Sequence, residues 1–263
     1  MELILIIILL AFFFETMDSA AGMGFGTGLA PILLLMGYNS LQVVPTLLIS
    51  EAITGIMDAV FDHEFKNVQF SFRPLNDTTR VTLYIAFFGC LATFVSVFLS
   101  HYAIVFPEEV IKVYVAILVL FMGLLGILRI RIKNSKVYSY KPKMLFAFSA
   151  LAGFNKGIGG GGYGPVVTLG QIFSGIYEKS ATAIVSFAEG LVSVTGIIVF
   201  FFISFAGVNV DLSLLPSIFT GGFFAAILAP YLVRVLPNKV WKALIPLYAF
   251  GIGIYLLLKI FVI

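Results

Sequence analysis

Residues 154–165 read FNKGIGGGGYGP, and the chain on both sides is apolar enough to sit in lipid. A lysine, an asparagine and a run of glycines do not belong in a plain membrane helix. A charge at that depth is expensive, and glycine weakens helix interiors. The stretch therefore reads as a deliberate break inside the membrane.

The whole composition agrees with a bilayer setting. Of 263 residues, 60% are hydrophobic and 11% charged. A water-soluble domain of this length could not hide so much apolar surface. The net charge of +3 is small and sits in the loops, which points to topology and away from nucleic acid. Cys90 is the only cysteine, so no intrachain disulfide can form. Nothing resembles a P-loop or a nucleophile–base pair, so neither an enzyme nor a cofactor is expected. The opening MELILIIILLAFFF lacks a basic leader and reads as part of the mature fold rather than as a cleaved signal.

A helix needs about 20 apolar residues to cross the hydrocarbon core. Full-length candidates lie at about 42–61, 80–101, 110–128, 180–205, 212–233 and 240–262. Two further apolar regions, 2–37 and 143–174, are interrupted. In the first the interruption is ETMDSAAGMGFGTG, residues 15–28; in the second it is the stretch quoted above. The arm 2–14 would rise only about 20 Å as helix, too short to span. Each interrupted region is expected to be a re-entrant hairpin.

The chain also repeats itself. Gly22, Gly24 and Gly26 match Gly157, Gly159 and Gly161, with Pro31 matching Pro165. LISEAITG (48–55) resembles SFAEGLVS (186–193), which pairs Glu51 with Glu189. Pro107 to Lys112 matches Pro237 to Lys242, with Gly123 and Gly253 following at equal spacing. The first repeat is placed at 1–128 and the second at 143–263, joined by a basic linker at 129–142. If both hairpins return to their own side, one face collects 13 of the Lys and Arg residues and the other only Lys112 and Lys259, setting Lys156 aside. The positive-inside rule prefers that arrangement. A hairpin plus three crossings is an odd number, so the second repeat is inverted. The expected fold is an all-α polytopic membrane protein of two inverted repeats, each a re-entrant broken-helix hairpin plus three transmembrane helices. It would sit in the plasma membrane with both termini outside.

Inverted repeats with broken helices hold substrate near the midplane, where half-helix ends meet. The N–H groups opening a returning arm favour an anion. The candidate substrate contacts are Gly24, Gly26, Thr27 and Gly28 in the first hairpin. In the second they are Asn155, Lys156, Gly159, Gly160, Gly161, Gly162 and Tyr163. Lys156 as a compact point charge suits a small oxyanion, although it could instead neutralise a buried acid such as Glu15, Asp18 or Glu51. Glu51 and Glu189, with Asp18 and Glu15 behind them, are candidates for proton coupling. Glu15, Asp18, Glu51, Asp58 and Glu189 lie within apolar segments, and Glu51, Gly55, Asp58 and Asp62 share one helix face. Asp58, Asp62, His63 and Glu64 read as boundary acids at the cytoplasmic end of that helix, and no metal site is expected.

The paired elements GMGFGTGLAPILLLMG and KGIGGGGYGPVVTLGQ, each followed by a helix with a central glutamate, resemble the TauE/SafE family of sulfite and organosulfur-anion permeases. The resemblance covers essentially the whole chain, and the second copy fits better, since Phe25 and Thr27 stand where it has glycine. It implies transport of a small sulfur-containing anion, such as sulfite or a sulfonate, by a secondary transporter. Protons, from the intramembrane acids, and the lipid bilayer are the other expected partners. An uncoupled anion channel or uniporter is the alternative.

Overall fold

In the computed structural model the described residues are 3–103, 107–130, 141–176, 178–235 and 238–261. They contain no β-strand. Most of the basic linker (131–140), the first two residues and Pro237 lie outside them, as do the side chains of Lys239 and Lys242.

Among the described residues, ten α-helices carry the fold. They are α1 (Leu5–Ala21), α2 (Ala30–Leu35), α3 (Ser40–Glu64), α4 (Asp77–Phe98), α5 (Glu108–Ile130), α6 (Pro142–Gly159), α7 (Tyr163–Phe173), α8 (Glu178–Phe205), α9 (Leu215–Val235) and α10 (Asn238–Phe261). Four segments among the described residues are long and apolar enough to cross a membrane by themselves: Ser40–Glu64, Asp77–Ala103, Glu109–Leu128 and Ser180–Phe205. The chain is an all-α, multi-pass membrane protein. Its outward surface is lined with exposed Leu, Ile and Phe, among them Phe87, Phe121, Phe201 and Leu247, as a bilayer solvent demands.

The two glycine-rich breaks end helices by different local means. Gly22 caps α1 at φ 64° and a five-residue π-helical turn, Phe25–Leu29, leads into α2. Gly160 caps α6 at φ 72°, and Gly162 at φ 82° opens α7. Those left-handed backbones are where glycine costs least.

Both broken elements fold back to the end at which they began. Ser174, just after α7, donates to the carbonyl of Lys141, just before α6, at 3.5 Å. For the first element the two ends are linked through the start of α9 and the residues just before it. Ile4 N–H donates to Ser217 Oγ at 2.8 Å, and Gln42 Nε2 donates to Asp211 Oδ2 at 2.5 Å. The starts of α1, α3 and α9 are therefore neighbours. That exposed Gln42 contact, with the Ser213 N–H, holds the Asp211 carboxyl below its ordinary range.

Helix directions follow from the contacts. Along α3 and α8, Leu48 meets Gly196 while Gly55 meets Ser186, so the two helices run antiparallel. Along α5 and α10, Gly123 meets Phe250, Gly126 meets Pro246 and Gly253 meets Leu120, again antiparallel. By contrast α1 runs parallel to α9, and α6 runs parallel to α4 through Thr93–Gly153 and Ser96–Phe154 hydrogen bonds. Each broken element thus leans on a helix from the other half of the chain.

The α3–α8 crossing depends on two glycines. A Cβ on Gly55 would stand 2.6 Å from the Ser186 carbonyl oxygen and 3.1 Å from Gly190 Cα. Small residues let the backbones approach where lipid supplies no hydrophobic drive. Gly55→Ala is expected to lower stability by about 1–3 kcal/mol through overpacking. A thermal unfolding midpoint in detergent equal to wild type would show that the crossing opens freely.

Candidate functional site

The two breaks meet. A Cβ placed on Gly26 would collide with the backbone of Gly160 and Gly161, and one on Gly164 would lie 2.7 Å from the Gly22 carbonyl oxygen. Thr168 Oγ1 reaches Gly22 O at 3.2 Å. Glycine here serves close approach of one turn to the other.

Directly beside that junction lies Lys156, in the last turn of α6 and 0% exposed. Its Nζ donates to Glu51 Oε2 at 2.5 Å and to Glu189 Oε1 at 2.7 Å. The Tyr163 ring centroid is 5.7 Å from the same nitrogen. Glu51 comes from α3, Glu189 from α8 and Lys156 from α6, so one ammonium ties three helices together. Both carboxylates are buried, yet Glu51 Oε1 and Glu189 Oε2 have no hydrogen-bond partner. Two carboxylates against one ammonium leave an uncompensated charge unless a proton is taken up, because an unpaired buried charge is strongly disfavoured.

The other acids gather on one side of this clamp. Glu15, Asp18, Glu51, Asp58 and Glu189, with Thr54, Gly55 and Ser186, line a cavity. About 10 Å³ of it is open to the centre of a water molecule, room for one water. Ser19 donates to Asp58 Oδ2 at 2.6 Å. Glu15 and Asp58 are buried, and Asp18 is partly exposed.

The expected substrate contacts are divided by the structure. Lys156 stands at the junction, and Asn155 accepts a hydrogen bond from the Tyr114 hydroxyl of α5. Gly26, Thr27 and Gly161 touch across the two turns. The remaining glycines face packing neighbours: Gly24 lies against the α1 backbone, Gly28 against the Phe14 ring, Gly159 against Val115, Gly160 against Leu47 and Val44, and Gly162 against Leu118. Tyr163 is wholly buried with an unpartnered hydroxyl beside Gly89. The sequence reads Asp58 both as an acid within an apolar segment and, with Asp62, as a boundary acid; here both are buried, and Asp58, 2% exposed, stands on the cavity wall. Its position seven residues after Glu51 on the same face was the available signal. Tyr114 had no such signal, since nothing local ties it to Asn155.

A family model for the sulfite exporter TauE/SafE matches residues 7–256. The chain belongs to the TauE/SafE family. The match runs through both breaks and both clamp glutamates. The chain is also similar to the probable membrane transporter protein YtnM of Bacillus subtilis (strain 168), at 26% identity over 234 residues, covering 84% of this chain and 71% of the relative. No solved structure matches it. TauE/SafE membership makes this chain a membrane transporter rather than an enzyme.

Proposed function

We propose that the chain is a proton-coupled secondary transporter of a small sulfur-containing anion, sulfite or a sulfonate, working by alternating access around Lys156. The observation that carries this reading is the clamp: a fully buried ammonium held at 2.5 and 2.7 Å by two glutamates where two broken helices meet. An oxyanion is acceptor-only and competes with carboxylates for the same N–H donors. It can claim Lys156 only when a glutamate gives it up, and a glutamate lets go most readily on taking a proton. Anion and proton occupancy are then linked at one nitrogen.

Other groups are placed to complete such a site. The Tyr114 hydroxyl donates to Asn155 Oδ1, which leaves the Asn155 amide N–H groups to be offered elsewhere. The first turn of α7 begins at Tyr163 beside Lys156, and N–H groups at a helix start, here those of Tyr163 and Gly164 ahead of Pro165, are of the kind that receive anions.

Two inverted repeats fit the packing. The corresponding helices α3 and α8 run antiparallel, as do α5 and α10, and each broken element packs on a helix of the other half. Such an exchange relates the halves by an axis perpendicular to the helices, which for spanning helices lies in the membrane plane. The charge distribution orients the assembly. Lys66, Arg73, Arg80, Lys141 and Lys143 fall at the end where Tyr84 meets Pro142, and the positive-inside rule assigns that end to the cytoplasm of a plasma membrane. The termini then lie outside. Room for a single water at the centre favours an occluded carrier over an open channel.

The test is uptake by purified protein in liposomes, comparing sulfite, a sulfonate, sulfate and chloride with and without an imposed pH gradient. Saturable flux selective for sulfur anions and accelerated by the gradient is expected. Equal flux with and without the gradient would replace the coupled carrier by a uniporter.

A further inference from the structure

The clamp is flanked asymmetrically. Towards the C-terminal end of α3 lies the acid-lined cavity, continued by Asp58 and then Asp62 one turn further on. Asp62 is buried, and it accepts from Asn67 Nδ2 at 2.8 Å. His63 and Glu64 stand exposed at that end. Towards the N-terminal end of α3 the clamp meets an apolar cluster of Val44, Leu48, Val97, Val199, Phe200 and Ile203, all buried. Pairing Glu51 with Glu189 sets Gly196 opposite Asp58 and Phe200 opposite Asp62. The second half thus has no counterpart of the acid ladder.

We propose that Asp58 and Asp62, with the cavity they adjoin, form a one-sided proton path between the α3 C-terminal end and the Lys156 clamp. The inference rests on the proton-coupled reading above and names the residues that deliver the proton. Two buried carboxylate oxygens, Glu15 Oε2 and Asp58 Oδ1, lack any partner although both residues line the cavity. The charge balance points the same way. Five carboxyl groups line this space, and Lys156 is the one cation that pairs with any of them among the described residues. One ammonium cannot neutralise five carboxylates, so the rest hold protons or meet mobile cations. Among the described residues no group of three or more acidic, histidine or cysteine side chains has the arrangement to hold a metal ion, these carboxyl groups included, which favours protons and water. Intramembrane acids in series with a water-sized gap are suited to proton relay.

The groups facing Asp58 are Glu15, Asp18 and Ser19 from α1, Glu51 and Asp62 from its own helix, and Glu189 from α8, with Lys156 beyond them. The described buried residues of α9 add no titratable side chain. On the opposite side Leu48 fills the space over Gly196, and the buried His101 packs on Phe200 with its Nε2 3.2 Å from the Gly157 carbonyl oxygen, so among the described residues that side carries one imidazole and no ladder of buried carboxyl groups.

The experiment compares wild type, Asp58→Asn, Asp62→Asn and Asp58→Glu in liposomes using labelled sulfite. Two quantities are read from each: accumulation driven by a pH gradient, and sulfite exchange at equal pH on both sides. For Asp58→Asn the ratio of the first to the second should fall at least about tenfold, as for loss of a proton-transfer group. Asp62→Asn should lower it too, and Asp58→Glu should restore most of it. Wild-type ratios in both asparagine variants, with wild type itself gradient-driven, would overturn the path while leaving proton coupling intact. A wild type indifferent to the gradient would overturn the proton-coupled reading and the path with it. A matching thermal unfolding midpoint in detergent establishes that each variant is folded.

Discussion

Replacing Lys156 by alanine is expected to reduce sulfite flux about thirtyfold or more, because losing one partner of a buried charge pair typically costs 2–5 kcal/mol. The loss would have two sources. The anion would lose its ammonium, and Glu51 and Glu189 would face each other with the charge that held them at 2.5 and 2.7 Å removed. The second effect alone could destabilise the fold by about 3–5 kcal/mol. A companion variant separates them. Lys156→Met with Glu51→Gln and Glu189→Gln leaves no buried charge at the clamp, so its unfolding midpoint should recover toward wild type. Its flux should stay at the background of protein-free liposomes. Recovered flux in that triple variant would make Lys156 a structural partner of the acids and leave the α7 N–H groups as the anion site.

Glu51→Gln is expected to abolish dependence on the pH gradient while leaving sulfite binding detectable. Glutamine cannot take up the proton, but its amide oxygen can still accept from Lys156 Nζ. The remaining carboxylate, Glu189, then holds the lysine alone. Uptake should become the same whichever way the gradient runs. Calorimetric or fluorescence titration with sulfite supplies the binding readout. A variant that still accumulates sulfite against its gradient when driven by pH would remove Glu51 from the relay. Glu189→Gln is the paired case, since the two glutamates contact the same nitrogen from opposite helices.

Much of the molecule was readable from local chemistry. Long apolar segments announce membrane helices because lipid penalises every exposed polar group along a span, a constraint that acts residue by residue. Glycine clusters within such segments announce breaks because only glycine takes φ near 64–82° without strain, as at Gly22, Gly160 and Gly162. A lysine inside one of them could only be paired or functional.

The pairing itself was readable only in part: Lys156 was open to neutralising Glu15, Asp18 or Glu51, and the fold selects Glu51 and adds Glu189. Glu51, Lys156 and Glu189 are separated by 105 and 33 residues, and no periodicity links them. Asp58 illustrates the limit most clearly. Seven residues from Glu51 on the same face and near the end of an apolar run, it reads locally either as an intramembrane acid or as a boundary acid. Only the packing of α1 and α8 over that end of α3 buries it and leaves one of its oxygens without a partner. The glycines show the same division. Their spacing marks the breaks, but whether a given one meets a ligand, another turn or a side chain such as Leu118 at Gly162 depends on what docks there. The sequence by itself therefore determined the membrane class, the two breaks and the charged residues inside them, since these follow from the cost of polar groups in lipid. The tertiary structure alone decided that one lysine closes on two glutamates and that the acids lie on one side of it, since that depends on which helices cross.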